Sequence, residues 1–478
     1  MSKAIFCIFL AAIFIVFKLS AQQNKAIGSW EGVLTVDKTK LRLIFHIKEE
    51  DGILKARLDS PDQLQFDLQM DTVISDDLGF KTMLKVANAE FSVTYTENAD
   101  EAKGIWRQMR VDYPITVKKN SSYKPRVFPQ EPIAPFPYRT EEVAYKNNKA
   151  KTFIGGSLTL PDEENKKFPA VLLISGSGQQ DRDENIAGHK PFLVIADHLS
   201  RNGFAVLRVD DRGVGASTGN PLTATTADFV TDVKTSVNFL KTHPEVDPNK
   251  IFLVGHSEGG LIAIMTAADP IFIGLKKELA GIVLLAAPGV PMHELMLRQS
   301  ADIIRQNGME EEYIKAGTEF NSIFYREILA DKKNKLTVLA LTDIMKGHLQ
   351  KMTKEQRAAL EMTDQSLFQQ CYTSMMPWYR YFIKIDPRPY LKKVKCPVLA
   401  LNGSMDIQVA AGPNLEAIRK TLAAAGNKDV ICTEIPGLNH LFQRCKSCKI
   451  GEYGELEETF APELLEVIEN WLKGGRKK

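Results

Sequence analysis

From residue 27 to about residue 117 the chain alternates apolar and polar positions, as in Leu41–Ile47 (LRLIFHI) and Phe91–Thr96 (FSVTYT), with Asp, Gly and Asn between the runs. A period of two sends successive side chains to opposite faces, so each run predicts a strand with one buried face. The whole stretch predicts a small antiparallel all-β domain, a barrel or a sandwich. The texture changes after residues 124–138 (KPRVFPQEPIAPFPY), whose proline density predicts an extended linker. Beyond it, uninterrupted apolar runs (Ala170–Ser175, Ala205–Asp210, Ile251–Gly255, Gly281–Ala287 and Pro397–Gly403) alternate with amphipathic helical stretches. Strands that are apolar on both faces and separated by helices predict a mostly parallel sheet covered on both sides, an α/β domain. The spacing breaks between Pro288 and about Tyr390, where segments such as His293–Gly308 and Thr353–Met362 have helical periodicity. An insertion of that length is too long for a connecting loop and predicts a helical cap over the carboxyl ends of the strands. The expected boundaries are a leader at 1–21, the β domain at 22–120, the linker at 121–140, the α/β domain at 141–288 and 391–478, and the cap at 289–390.

The first residues change the expected compartment. Lys3 precedes an apolar run from Ala4 to Phe17, followed by the small residues Ser20 and Ala21. This predicts a cleavable export signal, because the run is shorter than the roughly 20 residues a spanning helix needs. The mature protein is therefore expected outside the cytoplasm, periplasmic or secreted, with no membrane span. At 478 residues the chain exceeds the roughly 250–300 residues of a single core, so two domains are expected. Hydrophobic residues at 44% and charged residues at 25% argue against disorder and against a membrane bundle. The balance of 61 basic and 59 acidic side chains leaves no surplus to attract a nucleic acid. With Cys7 in the leader, five cysteines remain, Cys371, Cys396, Cys432, Cys445 and Cys448. Cys445 and Cys448 form a C-x-x-C that reads as a short disulfide, half a metal site or two incidental thiols. With no matching ligands nearby, an oxidised or unpaired surface pair is favoured over a metal.

The candidate chemistry centres on Lys250–Ala268 (KIFLVGHSEGGLIAIMTAA), an apolar strand running into G-H-S-E-G-G and then a helix. A serine at such a turn must adopt a strained backbone so that its hydroxyl clears the sheet, and Gly255, Gly259 and Gly260 give the neighbouring chain room to pass. Ser257 is the expected nucleophile. A serine hydroxyl needs a base and a group that orients the base. Downstream, Asp406 follows the strand-like Pro397–Gly403, and His440 follows the strand-like Asp429–Ile435. Of the other histidines, His46, His189, His198, His243 and His256 precede Ser257, while His293 and His348 fall in the predicted cap. Asp386 is the next-best acid but lies before its strand and is followed by Pro387. The strand Ala170–Ser175 leads into Gly176, Ser177 and Gly178, so the amide of Ser177, or that of Gly178, is expected to act with the amide of Glu258 as oxyanion donors. Only the backbone is required of these positions. The glycine-rich Val209–Asn220 lacks the lysine and spacing of a phosphate-binding loop, and Arg212 is expected to pair with Asp210 or Asp211 at the rim of the site.

By the segments ISGSGQQDRDEN, RVDDRGVGASTGN, GHSEGG, LNGSMD and GLNH, residues 141–472 resemble the α/β-hydrolase superfamily, specifically exported esterases and serine aminopeptidase-like hydrolases with a lid. The resemblance implies the order nucleophile, acid, histidine, and an acyl-enzyme mechanism with no metal or organic cofactor. The chain departs from many relatives by carrying Ser175-Gly176 where they have histidine-glycine. Gly28-Ser29-Trp30-Glu31-Gly32 and Gly104-Ile105-Trp106 resemble, more distantly, the opening and closing signatures of lipocalin-like barrels, although two tryptophans in a β domain are more often core. The resulting expectation is hydrolysis of small or medium carboxylic esters. The alternatives are an aminopeptidase-like activity, anchored by Glu258 or by Glu310, Glu311 and Glu312 of the cap, and a catalytically dead binding module. The expected partner is a small ester or a short peptide; the oligomeric state is left open.

Overall fold

In the computed structural model, which describes residues 24–475 apart from 37–38, 64, 85–87, 99, 109, 123–127, 164–165 and 273–278, the alternating region forms antiparallel strands. The expected leader, with Lys3 and Cys7, lies outside the described residues, as does part of the expected linker. The chain divides into two compact units, residues up to 58 with 70–123, and residues 59–69 with 124 onwards.

The first unit contains β1 (Gly28–Val36), β2 (Thr39–Glu50), β3 (Ile53–Ser60), β5 (Thr72–Ser75), β6 (Gly79–Leu84), β7 (Ala89–Tyr95), β8 (Glu101–Gln108) and β9 (Val111–Lys119); the short β4 (Gln65–Gln69) falls in the 59–69 segment. The strand order is β3-β2-β1-β9-β8-β7-β6-β5, a single half-barrel sheet with β5 at an edge. Asp51 and Gly52 both have positive φ (53° and 75°), the geometry a two-residue hairpin needs to match strand twist, and they join β2 to β3. Trp30, Phe45, Phe91 and Trp106 are buried, Phe45 and Phe91 stacked at 3.9 Å. The two tryptophans are thus core residues, and the Trp30 indole donates to Ala26 O at 2.8 Å.

The second unit is built on a mixed eight-stranded sheet in the order β10-β11-β13-β12-β14-β15-β16-β17. Its strands are β10 (Tyr138–Asn147), β11 (Thr152–Pro161), β12 (Phe168–Ile174), β13 (Ala205–Val209), β14 (Val246–His256), β15 (Gly281–Leu285), β16 (Val398–Gly403) and β17 (Val430–Ile435). All neighbours from β13 to β17 pair in parallel, and only β10 with β11 and β11 with β13 are antiparallel. One face packs beneath α2 (Thr226–Thr242), α3 (Glu258–Ala267) and α11 (Ala411–Ala424) through Val237, Ile262 and Leu422. The other packs beneath α1 (Pro191–Arg201) and α12 (Pro462–Leu472) through Phe192, Leu464 and Trp471. Because β15 is buried along its whole length, only apolar residues can occupy it, which is why it reads as a continuous run.

Between β15 and β16 the chain forms α4 (Met292–Gln306), α5 (Glu311–Ala330), α6 (Val338–Leu349), α7 (Lys354–Ala359), α8 (Asp364–Ser374), α9 (Pro377–Phe382) and α10 (Arg388–Leu391). These helices carry their own core, including Phe324, Ile328, Leu341, Met345 and Ile383. Among the described residues no helix is long and apolar enough to cross a membrane.

Candidate active site

The strand order dictates where the site forms. β12 has parallel neighbours on both sides, β13 and β14, so the chain leaves it in one direction and returns on the other. In open α/β sheets the crevice at such a reversal, outside the carboxyl ends, is where ligands bind. Ile174 of β12 is registered against Gly255 of β14, so the loops that follow these strands emerge side by side.

Ser257 sits between β14 and α3 with φ 52° and ψ −119°, a left-handed conformation that costs a non-glycine residue of order 1–3 kcal/mol. The surroundings fix it. Its amide donates to Leu285 O at 2.8 Å, and a Cβ on Gly259 would lie 2.0 Å from Ile174 O, so the turn fits only with glycine there. A Cβ on Gly176, at the start of the loop after β12, would lie 3.3 Å from Ser257 Cβ, which places that loop against the serine.

Asp406 and His440 come together from the ends of β16 and β17. His440 Nδ1 lies 2.7 Å from Asp406 Oδ2, and both residues are buried. Asp406 Oδ1 accepts from the amides of Gln408 (2.8 Å) and Val409 (2.9 Å), so the carboxylate is locked in its own turn. With Nδ1 donating to the carboxylate, the remaining His440 nitrogen, Nε2, carries a lone pair and can accept a proton.

Of the expected oxyanion donors, Glu258 is the first residue of α3, whose amide has no intrahelical acceptor. The Gly176 amide, by contrast, donates to Glu184 Oε1 at 2.5 Å and is committed. Ser177 follows it in the loop. The side chains of these positions, of which nothing was required, are bonded to each other: Ser177 Oγ donates to Glu258 Oε2 at 2.9 Å.

Two buried groups escaped sequence reasoning. His256 Nδ1 lies 2.9 Å from Glu184 Oε1, and its Nε2 lies 3.0 Å from His440 O. Burial opposes the charged imidazole, but the facing Glu184 carboxylate outweighs it and raises the His256 pKa above its ordinary value. Glu184 thus joins the loop after β12, through the Gly176 amide, to the His440 loop. The only signal was the carboxylate's place in the DRDEN run, which is as common on exposed loops.

Asp211 is half-buried, and its removal from water pushes its pKa well up despite hydrogen bonds from the Gln180 amide and Ser175 Oγ. Arg212 does not pair with Asp210 or Asp211 as expected. It turns to α2, 2.5 Å from Asp232 and 3.2 Å from Asp228, while Asp210 takes a bidentate bond from Arg182 (2.7 and 3.1 Å). The reversal has a physical reason. Two acids on α2 reward Arg212, and Arg182 already satisfies Asp210. In the loop beyond His440, Cys445 and Cys448 form a disulfide, the oxidised form of the expected pair. Cys371, Cys396 and Cys432 are free of disulfides.

A parallel sheet with helices on both faces, an elbow serine, and an acid and histidine at consecutive strand ends define an α/β hydrolase. Within that class the chain belongs to the serine aminopeptidase S33 family, whose sequence profile matches residues 190–444. It is similar to esterase EstD of Thermotoga maritima, 30% identical over 141 residues, which is 30% of this chain and 32% of EstD. The chain therefore aligns with about a third of the length of that relative. Among solved structures it is similar to an esterase of Pyrococcus furiosus (16% identity, TM-score 0.41, covering 71% of this chain and 92% of the other). It is also similar to Est1E of Butyrivibrio proteoclasticus, solved with ferulic acid bound (15% identity, TM-score 0.39, covering 70% and 97%).

Proposed function

We propose that the protein is a serine hydrolase that cleaves carboxylic esters through an acyl-enzyme intermediate, with Ser257 as nucleophile, His440 as base and Asp406 as its orienting acid. The observation that carries this reading is the 2.7 Å bond from His440 Nδ1 to a doubly anchored Asp406, which leaves Nε2 as the acceptor in a loop that His256, the neighbour of Ser257, also holds. Ser257 Oγ attacks the ester carbonyl and its proton passes to His440 Nε2. The carbonyl oxygen becomes an oxyanion held by the amides of Ser177 and Glu258. His440 then gives the proton to the departing alkoxide, leaving the acyl group on Ser257. Water, deprotonated by the same nitrogen, releases the acid.

The family description also favours an aminopeptidase reading, which needs a free acidic anchor for a substrate ammonium. Two of the expected anchors, Glu258 and Glu311, are already engaged. Both oxygens of Glu258 already accept hydrogen bonds from Thr226, Ser177 and Trp378, and Glu311 is paired with Arg305. The test compares the protein and its Ser257→Ala variant on p-nitrophenyl acetate and on an aminoacyl p-nitroanilide, with fluorophosphonate labelling alongside. The expected result is labelling and ester turnover that both need Ser257, with negligible anilide cleavage. Anilide cleavage at comparable efficiency would establish the peptidase, and a folded protein that neither labels nor turns over would be the binding module. We further propose that the protein is exported, a compartment in which the Cys445–Cys448 disulfide persists. N-terminal sequencing of the mature chain is expected to begin at Gln22, and an uncleaved Met1 would refute this.

A further inference from the structure

The reaction asks only for the backbone amide of Glu258, yet its side chain is one of the most enclosed carboxylates in the chain, at 2% exposure. Burying a carboxylate is costly unless its oxygens are satisfied. Among the described residues no Lys, Arg or His forms an ion pair with it, and it is held by neutral donors at the positive end of α3. Burial accordingly raises its pKa, while the three hydrogen-bonding side chains oppose that.

Those donors come from three separate parts of the fold. Thr226 Oγ1 at the start of α2 donates to Oε1 at 2.7 Å. Ser177 Oγ in the loop after β12 donates to Oε2 at 2.9 Å. Trp378 Nε1, in cap helix α9, shares its proton between Oε1 and Oε2 at 3.0 and 3.1 Å. The indole is further seated by stacking on Phe382, with centroids 4.8 Å apart, and by packing against the cluster that includes Leu261 and Met265 of α3.

We propose that Glu258 is a positioning residue whose carboxylate ties cap helix α9 to the oxyanion loop, so that seating the cap and placing the Ser177 amide are a single event. The proposal rests on the hydrolase reading above for its effect on rate. One anion serves both partners. When α9 is seated, Trp378 fixes the plane of the carboxylate, and that plane aims Oε2 at Ser177 Oγ and so sets the loop that carries the Ser177 amide. When α9 lifts, the carboxylate loses a donor and gains water, and the loop loses its fixed acceptor. The cap thereby governs the oxyanion site without touching substrate at that point.

Two variants test this. Glu258→Gln keeps the shape but replaces one oxygen by an NH2 group, and because Trp378 Nε1 spans both oxygens, a donor then faces a donor. Trp378→Phe removes the N–H together with the fused five-membered ring and keeps a phenyl ring to stack on Phe382. Both are expected to keep the wild-type circular dichroism and to lose about tenfold in kcat on p-nitrophenyl acetate, with KM changed less than twofold, because misplaced oxyanion donors act on the transition state. Ser177→Ala, which keeps the amide, is expected to cost a similar factor. The Ser177→Ala/Trp378→Phe double variant should lose no more than the worse single variant, since both act through one carboxylate. The emission assigned to Trp378, the difference between Trp378-containing and Trp378→Phe proteins, should shift to the red in Glu258→Gln. Folded single variants with kcat within twofold of wild type, or single losses that multiply in the double variant, would overturn the proposal. If the wild-type protein neither labels nor turns over, the hydrolase reading fails, and the emission alone decides the tie: an unshifted Trp378 spectrum in Glu258→Gln refutes it.

Discussion

Replacing Asp406 by Asn should disable the protein while leaving it folded. Asp406 Oδ1 accepts from two amides, those of Gln408 and Val409, and Oδ2 faces His440 Nδ1 at 2.7 Å. In Asp406→Asn the amide oxygen stays where two N–H groups require it. Flipping the group would point its NH2 at both donors and forfeit two bonds of about 1 kcal/mol each. The NH2 is therefore forced toward His440 Nδ1, which must become an acceptor. The ring proton moves to Nε2, and the nitrogen that should take the Ser257 proton no longer can. A triad locked in the wrong tautomer loses about 10⁴ in kcat, or about 5 kcal/mol of barrier. Asp406→Ala lacks the directing NH2 and leaves the ring free to choose its tautomer, so it should be less damaging than the closer isostere. The assay is kcat on p-nitrophenyl acetate for both variants with thermal melts in parallel. A loss under tenfold in Asp406→Asn, or an alanine variant slower than the asparagine one, would refute the tautomer argument.

The His256–Glu184 pair should show itself in pH-dependent stability. Because the folded pKa of His256 is raised, its contribution is fully present below the ordinary histidine value of about 6.5 and is lost as pH rises through the raised value, so the gap in melting temperature between wild type and Glu184→Gln should narrow toward alkaline pH; a constant gap would count against the charged pair. Gly259→Ala, whose Cβ would meet Ile174 O at 2.0 Å, should cost about 3 kcal/mol or more in urea unfolding. Gly412→Ala on α11, with open space at its Cβ, should stay within about 1 kcal/mol of wild type, so equal effects would contradict the steric reading. The Cys445–Cys448 disulfide closes so short a loop that its removal should cost at most about 2 kcal/mol, and a larger drop in urea unfolding would mean it holds more than its own turn.

The parts of this molecule that sequence expressed most clearly are those where burial leaves few choices. β15 is buried from end to end and β16 is apolar up to Asn402, whose side-chain NH2 donates to Val409 O, so apolar runs mark both, and the elbow is visible because Gly259 admits no side chain. The hairpin of β10 and β11 was less legible. β10 is an edge strand with alternating exposure, and the paired glycines Gly155 and Gly156 of β11, needed for close approach to Ala216 and Arg208, look like loop residues in a linear reading. Ser257, Asp406 and His440 could be singled out because each ends a strand and their order along the chain constrains the choice. The partners that hold them could not. Glu184 meets His256 across 72 residues and Trp378 meets Glu258 across 120, and nothing local distinguishes a glutamate that will be buried from one that will face water.

The cap leaves the sheet after β15 and re-enters at β16, two strands that are themselves hydrogen-bonded neighbours, with Ile282 beside Val398 and Leu285 beside Leu401. More than a hundred residues thus hang from two adjacent anchor points as an exchangeable cassette with an interior of its own. The inserted segment can vary in length and content without breaking the β15–β16 register, which closes beneath it. Any exchange of these helices has to account for Trp378, whose indole N–H reaches out of the inserted segment to Glu258.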